Sequence, residues 1–179
     1  MVTVQRVDST VKNMDKNEKI LVSACLIGEY VRFNGRIKVF ESRVLADWKL
    51  RGRLVPCCPE VDGGLPVPRP CSEISEQDGS MVLHGNARVM NIKGKDVTQH
   101  FLTGARKALE LARLHNINLA VLKDGSPSCG STYIYDGSFS GIKKPGKGIT
   151  TILLEENNIR VFSEREIPEA VSYLKTLNI

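Results

Sequence analysis

The sequence reads as α/β: a single domain with a mainly parallel, doubly wound, Rossmann-like sheet and a small β-hairpin addition. Three observations carry that expectation. Short apolar runs bounded by turn residues recur along the chain, the pattern of strands buried on both faces. Stretches with apolar residues at helical spacing separate them. Near the three-quarter point Asp136-Gly137 supplies a hairpin turn signal. Strands alternating with helices imply right-handed crossovers and a parallel sheet.

Taken in order, residues 20–24 are a β-branched, apolar first strand, and Cys25 to Gly28 form the turn after it. Residues 41–50 carry Val44, Leu45 and Trp48 at helical spacing. Residues 53–57 form a second buried strand, with Pro56 suited to its end. Residues 58–70 hold Pro59, Pro66, Pro68, Pro70 and Gly63-Gly64, a stiff loop with no room for a helix. Residues 81–97 predict small antiparallel strands or a hairpin. Asp96 and Gln99 match a capping box before a helix striped by Val97, Phe101, Ala105, Ala108 and Ala112 and closed by His115-Asn116. A third buried strand spans residues 119–122, a hairpin 133–141, a helix 148–157 and a fourth strand 159–162. Ser163 and Glu166 then form a capping box for the last helix, whose early Pro168 is tolerated.

At 179 residues the chain is long enough for one domain with a true core. The expected division is a flexible leader over residues 1–18 and the domain over 19–179. The hydrophobic share of 41% and charged share of 25% are those of a soluble protein. No apolar run approaches the roughly 20 residues of a membrane helix, and the first residues lack a secretory signal. A cytoplasmic protein is expected. The net charge of +5 favours anionic ligands in general and does not by itself indicate nucleic acid.

Five cysteines fit no closed disulfide framework, and in a reducing cytosol they are more often buried, metal-binding or catalytic. Cys25, Cys58 and Cys129 each follow an expected strand, so the topology brings them to the carboxyl edge of the sheet, where ligands of such sheets bind. Soft thiolates suit zinc, copper(I) and iron–sulfur clusters. Three distant thiols without zinc-finger spacing suit an iron–sulfur cluster with one iron left open. Neighbours on a strand point to opposite faces, so Cys58 is taken as ligand and Cys57 as a buried apolar residue. The alternative for all five is that of small buried hydrophobes. Arg69 is read as pairing with an acid such as Glu73, or binding a substrate oxygen. Lys123 offsets cluster charge or is solvated. Asn34 makes a loop hydrogen bond or touches substrate, and Asp62 forms a turn.

The segments Val22-Ser23-Ala24-Cys25-Leu26-Ile27-Gly28, Leu54-Val55-Pro56-Cys57-Cys58-Pro59-Glu60-Val61, Gly63-Gly64-Leu65-Pro66-Val67-Pro68-Arg69-Pro70, Lys123-Asp124-Gly125-Ser126-Pro127-Ser128-Cys129-Gly130 and Ile134-Tyr135-Asp136-Gly137-Ser138-Phe139-Ser140-Gly141 occur in this order. Together they resemble the family labelled domain of unknown function 523, which includes thiouracil desulfurases. The resemblance covers about residues 19–177. It implies a [4Fe-4S] cluster on Cys25, Cys58 and Cys129 whose open iron binds the substrate's sulfur. It also implies catalytic roles for Glu60, as general base toward water, and for a serine matching Ser126 or Ser128. The expected activity replaces sulfur by oxygen in a thiolated pyrimidine such as 2-thiouracil, non-redox, with sulfide release. The expected partner is a small thiolated nucleobase, with neither membrane nor nucleic acid, for a monomeric enzyme. The alternatives are a protein that processes or senses thiolated tRNA bases, and a non-catalytic metal- or sulfide-binding module.

Overall fold

Apolar residues on successive strand positions point to opposite faces of the central sheet, and both faces are covered by helices. The computed structural model describes residues 18–75 and 77–177. Most of the expected leader therefore lies outside the described residues. Glu18, its last residue, accepts a hydrogen bond on its carbonyl from Arg53 Nε at 3.1 Å.

Strands β1 (Ile20–Ser23), β2 (Leu54–Cys57), β5 (Leu119–Leu122) and β8 (Arg160–Ser163) form one parallel sheet in the order β2-β1-β5-β8. Ile20, Val22, Leu119 and Val121 face α1 (Arg43–Leu50) and α6 (Ile167–Leu177), packing on Leu45, Trp48, Ala170 and Leu174. Leu21, Ala120 and Leu122 face α4 (Thr98–Leu114) and α5 (Ile149–Glu156), packing on Ala108, Ala112 and Leu154. This is the doubly wound arrangement that the alternation predicts.

Two antiparallel pairs lie outside this sheet: β3 (Ser72–Ile74) with β4 (Val89–Asn91), and β6 (Tyr133–Tyr135) with β7 (Lys143–Pro145). A third core of Ile74, Val89, Phe101, Ile134 and Ile149 fastens them to the body.

Several local expectations change. β2 is an edge strand: Leu54 and Val55 are half-buried and Pro56 is exposed, where a residue without an N–H costs no ladder bond. Residues 58–70 do hold a helix, α2 (Pro59–Asp62), because proline at the first helical position lacks only an N–H that had no partner there. Within residues 81–97, Met81 to Leu83 belong to α3 (Gly79–Leu83), started by Asp78, whose Oδ1 accepts from Ser80 N at 3.0 Å. β4 pairs with β3 from a segment not expected to be a strand. Asp96 accepts from Thr98 N at 2.9 Å one position ahead of the α4 N-cap, Val97, so the Asp96–Gln99 box does not form. Asp136-Gly137 opens a longer β6–β7 link in which Gly137, Phe139 and Gly141 all have positive φ. One arm of the Ser163–Glu166 box forms: Glu166 Oε2 accepts from Ser163 N at 2.8 Å, while Ser163 Oγ accepts from Arg165 N at 3.3 Å, ahead of α6.

One close contact positions the site. A Cβ on Gly104 of α4 would lie 1.7 Å from the Pro59 carbonyl oxygen, and one on Gly63 would lie 2.0 Å from that of His100. The missing side chains let α2 rest directly against the backbone of α4.

Candidate active site

The carboxyl ends of three neighbouring strands each deliver a thiol. Cys25 lies in the 3₁₀ turn Ala24–Ile27 directly after β1, and the turn is closed by Gly28 at φ 92°. Cys58 follows β2 at the N-cap of α2. Cys129 lies in the loop after β5. All five cysteines are free; Cys25 and Cys58 are half-buried, while Cys57 and Cys129 are buried.

The thiols sense one another. Burial pushes the Cys25 thiol up to about 11, Cys58 adds to that rise, and Arg32 and Lys123 oppose it. Burial also raises the Cys129 thiol, against a hydrogen bond from Ser23, while Cys58 and Cys25 push it further up. The Cys58 thiol is raised by burial and lowered by the Val61 N–H, and it donates to the Val31 carbonyl at 3.9 Å. Cys57 is raised by burial first and by Cys129 next, and it packs in the core with Leu21 and Ala108.

This donor set fits an iron–sulfur cluster. Among the described residues no three Cys, His, Asp or Glu side chains form a group that could hold a single metal ion. Ligands about 2.3 Å from one zinc must crowd together, whereas the thiolates of a cluster are spread over several irons. Soft, uncharged thiols, two half-buried and one buried, meet that requirement, and they release their protons when metal binds.

Glu60 stands on α2 two residues after Cys58 and uses both carboxylate oxygens. Arg69 Nε donates to Oε2 at 2.7 Å, with the Arg69 side chain only 4% exposed. Ser126 Oγ donates to Oε1 at 3.0 Å. The Ser126 oxygen in turn accepts from the amides of Ser128 at 3.0 Å and Cys129 at 3.3 Å. Glu60 and Ser126 therefore link the Cys58 helix to the Cys129 loop. Ser128 is fully buried, and its hydroxyl pairs with Thr150 Oγ1 at 2.8 Å. Arg69 pairs with Glu60 instead of Glu73, whose Oε2 accepts from the amides of Gly137 and Phe139. Lys123 is held by Glu164 at 2.5 Å. Asn34 accepts from Arg36 N at 3.1 Å, a loop bond, and Asp62, the last residue of α2, accepts from the N-cap Cys58 N at 3.1 Å.

Four contributors were not assigned from the sequence. Ser23 follows an apolar run as an ordinary strand residue; its link to Cys129 needs the β1–β5 pairing. Glu164 meets Lys123 across two strand ends. Arg32 sits in a polar stretch with no motif. Asp124, beside Gly125 in a turn-rich segment, organises the Cys129 loop. Two surface hollows among the described residues, about 400 and 290 Å³, lie at the start of α4 and beneath its end, and neither includes a cysteine, Glu60 or Ser126.

Fold and site together define a doubly wound α/β protein with thiols and a carboxylate–hydroxyl pair gathered at the carboxyl edge of its sheet. The chain belongs to the 2-thiouracil desulfurase family, whose model matches residues 20–166. It is 44% identical over 149 residues to the uncharacterized protein YbbK of Bacillus subtilis strain 168, a match spanning 83% of this chain and 97% of that one. A solved structure described as [4Fe-4S]-dependent thiouracil desulfidase TudS is similar at a TM-score of 0.81 and 45% identity, covering 89% of this chain and 99% of that one.

Proposed function

We propose that this protein is an iron–sulfur-dependent desulfurase that replaces sulfur by oxygen in a thiolated pyrimidine such as 2-thiouracil and releases sulfide without redox change. The observation that carries the reading is the gathering of three mutually interacting thiols beside the Glu60–Ser126 pair. Family membership and the similarity to a protein described as [4Fe-4S]-dependent support it. In this reading Cys25, Cys58 and Cys129 hold a [4Fe-4S] cluster, and Cys57 remains a core residue. When bound, the cluster supplies an open iron that draws on the substrate's sulfur as a Lewis acid and leaves the adjoining carbon electrophilic.

The chain's own groups do the rest. Glu60 takes a proton from the water that attacks this carbon. Arg69 fixes the carboxylate from behind through Oε2, leaving Oε1 toward Ser126. The Ser126 oxygen is anchored by two amides, so its hydroxyl hydrogen is directed at Glu60. It orients the carboxylate and relays the proton toward the departing sulfur. Ser128 serves the loop's structure through Thr150. The balance is simple: the water oxygen becomes the carbonyl oxygen, its two protons leave with the sulfur as hydrogen sulfide, and no electrons are gained or lost.

A free nucleobase is the substrate in this reading, acting on a monomer formed by the domain of residues 19–179 in a reducing cytosol. No helix among the described residues is long and apolar enough to cross a membrane. The tRNA alternative is less well supported, because Arg69 and Lys123 at the site are engaged by Glu60 and Glu164 instead of facing a phosphate chain. Anaerobic turnover of 2-thiouracil tests the proposal. Uracil and sulfide should appear in equal amounts; iron-loaded protein that leaves 2-thiouracil unchanged would end it.

A further inference from the structure

Between the 3₁₀ turn and α1, residues 28–42 run without helix or strand. The segment is pinned across the thiol site at two points. The Val31 carbonyl accepts from the Cys58 thiol at 3.9 Å. The Phe33 carbonyl accepts from Arg69 N at 2.7 Å. Arg32 lies between these anchors. Its Nε is buried and bonds no acceptor among the described residues. The other cations are occupied: Lys123 by Glu164 and the Asp124 carbonyl, Arg69 by Glu60 and the Pro66 carbonyl. A buried N–H without an acceptor is costly, and native proteins keep few of them.

We infer that Arg32 is a specificity-determining residue whose Nε–H donates to an exocyclic carbonyl oxygen on the ring of the bound thiolated pyrimidine. The inference rests on the desulfurase reading and names the ring chemistry that this site selects. A guanidinium carries donors and no acceptor. It therefore accepts a 4-oxo ring and opposes a 4-amino ring, which would present another donor. 2-Thiouracil is taken and 2-thiocytosine is refused. A site built to hydrogen-bond one substrate atom discriminates strongly against an analogue that cannot complete the bond.

The test uses anaerobic, iron-loaded wild type, Arg32→Gln and Arg32→Lys. Iron content, kcat and KM for 2-thiouracil, the rate with 2-thiocytosine, and the Kd of uracil by calorimetry are measured on each. In Arg32→Gln, iron content is expected to hold while KM and the uracil Kd rise about 10- to 100-fold. kcat should change less, and the preference over 2-thiocytosine should narrow by a similar factor. Arg32→Lys keeps the charge, loses the Nε–H, and is expected to fall between the two. If Arg32→Gln does not fold, Arg32→Lys decides by the same readouts. A wild-type KM and uracil Kd in a variant would overturn the inference while leaving the desulfurase reading intact. Loss of iron from both variants would overturn it too, by assigning the residue to the cluster. Failure of iron-loaded wild type to convert 2-thiouracil would remove the desulfurase reading and this inference with it.

Discussion

The two flanks of the thiol site are built differently. On the Cys129 flank, Asp124 accepts from the amides of Gly125, Ser131, Thr132 and Tyr133 and from the Thr132 hydroxyl. The first turn of α5 holds the same loop: Thr150 N donates to the Ser128 carbonyl at 2.9 Å and Thr151 Oγ1 to that of Cys129 at 3.0 Å. A Cβ on Gly148 would lie 2.3 Å from the Ser128 oxygen, so the helix start and the loop touch backbone to backbone. The opposite flank, residues 28–42, exposes Tyr30, Phe33, Ile37 and Val39 and leaves the Arg32 donor without a protein partner among the described residues. Rigidity belongs where thiol and hydroxyl must be fixed; an open donor belongs where a ligand completes the site. Glu60–Ser126 is the bridge from the Cys129 flank to α2, the helix that Cys58 caps.

Severing that bridge should have the largest effect. Glu60→Gln keeps the side chain's shape and removes the base, so kcat for 2-thiouracil is expected to fall about 10²- to 10⁴-fold at unchanged iron content. Ser126→Ala should cost less, about 10-fold, because water can replace one hydroxyl. A larger loss for Ser126→Ala than for Glu60→Gln in steady-state rates would make the serine the primary group and Glu60 its support.

Displacing the Cys58 side comes next. Gly104→Ala forces a methyl against the Pro59 carbonyl and pushes α2 from α4. The expected cost is about 1–3 kcal/mol in urea unfolding, together with reduced iron retention because Cys58 and Glu60 move with the helix. Wild-type stability and iron content in this variant would show that α4 does not set the position of α2.

In the Cys129 loop the expected effect is on stability alone. Burial opposes ionisation of Asp124, but hydrogen bonds from Thr132, Tyr133 and Ser131 outweigh it and hold the carboxyl below its usual range. A depressed folded-state pKa stabilises above the unfolded value, near about 3.9, and that contribution is lost as pH falls through the folded value. Asp124→Asn should cost about 1–3 kcal/mol at pH 7, and the variant should lose less stability than wild type between pH 5 and pH 3 (about these limits, set by the same reference value). Parallel losses in the two proteins would show that the carboxylate does not tie the loop.

The sheet was legible because burial on both faces leaves continuous apolar runs, as in residues 20–22 and 119–122. The helix after Pro59 and the strand at Ser72–Ile74 were not. Each is short, and each is decided by packing: α2 by the bare backbone of α4, β3 by pairing with β4. At the site, the place of the cysteines at the carboxyl edge followed from each coming just after a strand of a parallel sheet. Side-chain partners did not, because Arg69–Glu60, Ser126–Glu60 and Ser23–Cys129 join residues from different elements. Ser126 and Ser128 are indistinguishable by spacing, yet one hydroxyl meets Glu60 and the other is enclosed with Thr150.

The most direct test of a shared cluster is iron and acid-labile sulfide measured on anaerobically purified protein and its single cysteine variants. Wild type and Cys57→Ser should carry iron and sulfide in equal amounts, about four of each per chain, while Cys25→Ser, Cys58→Ser and Cys129→Ser should each lose most of both. Full iron in any of those three, or zinc without iron in wild type after anaerobic reconstitution, would contradict it.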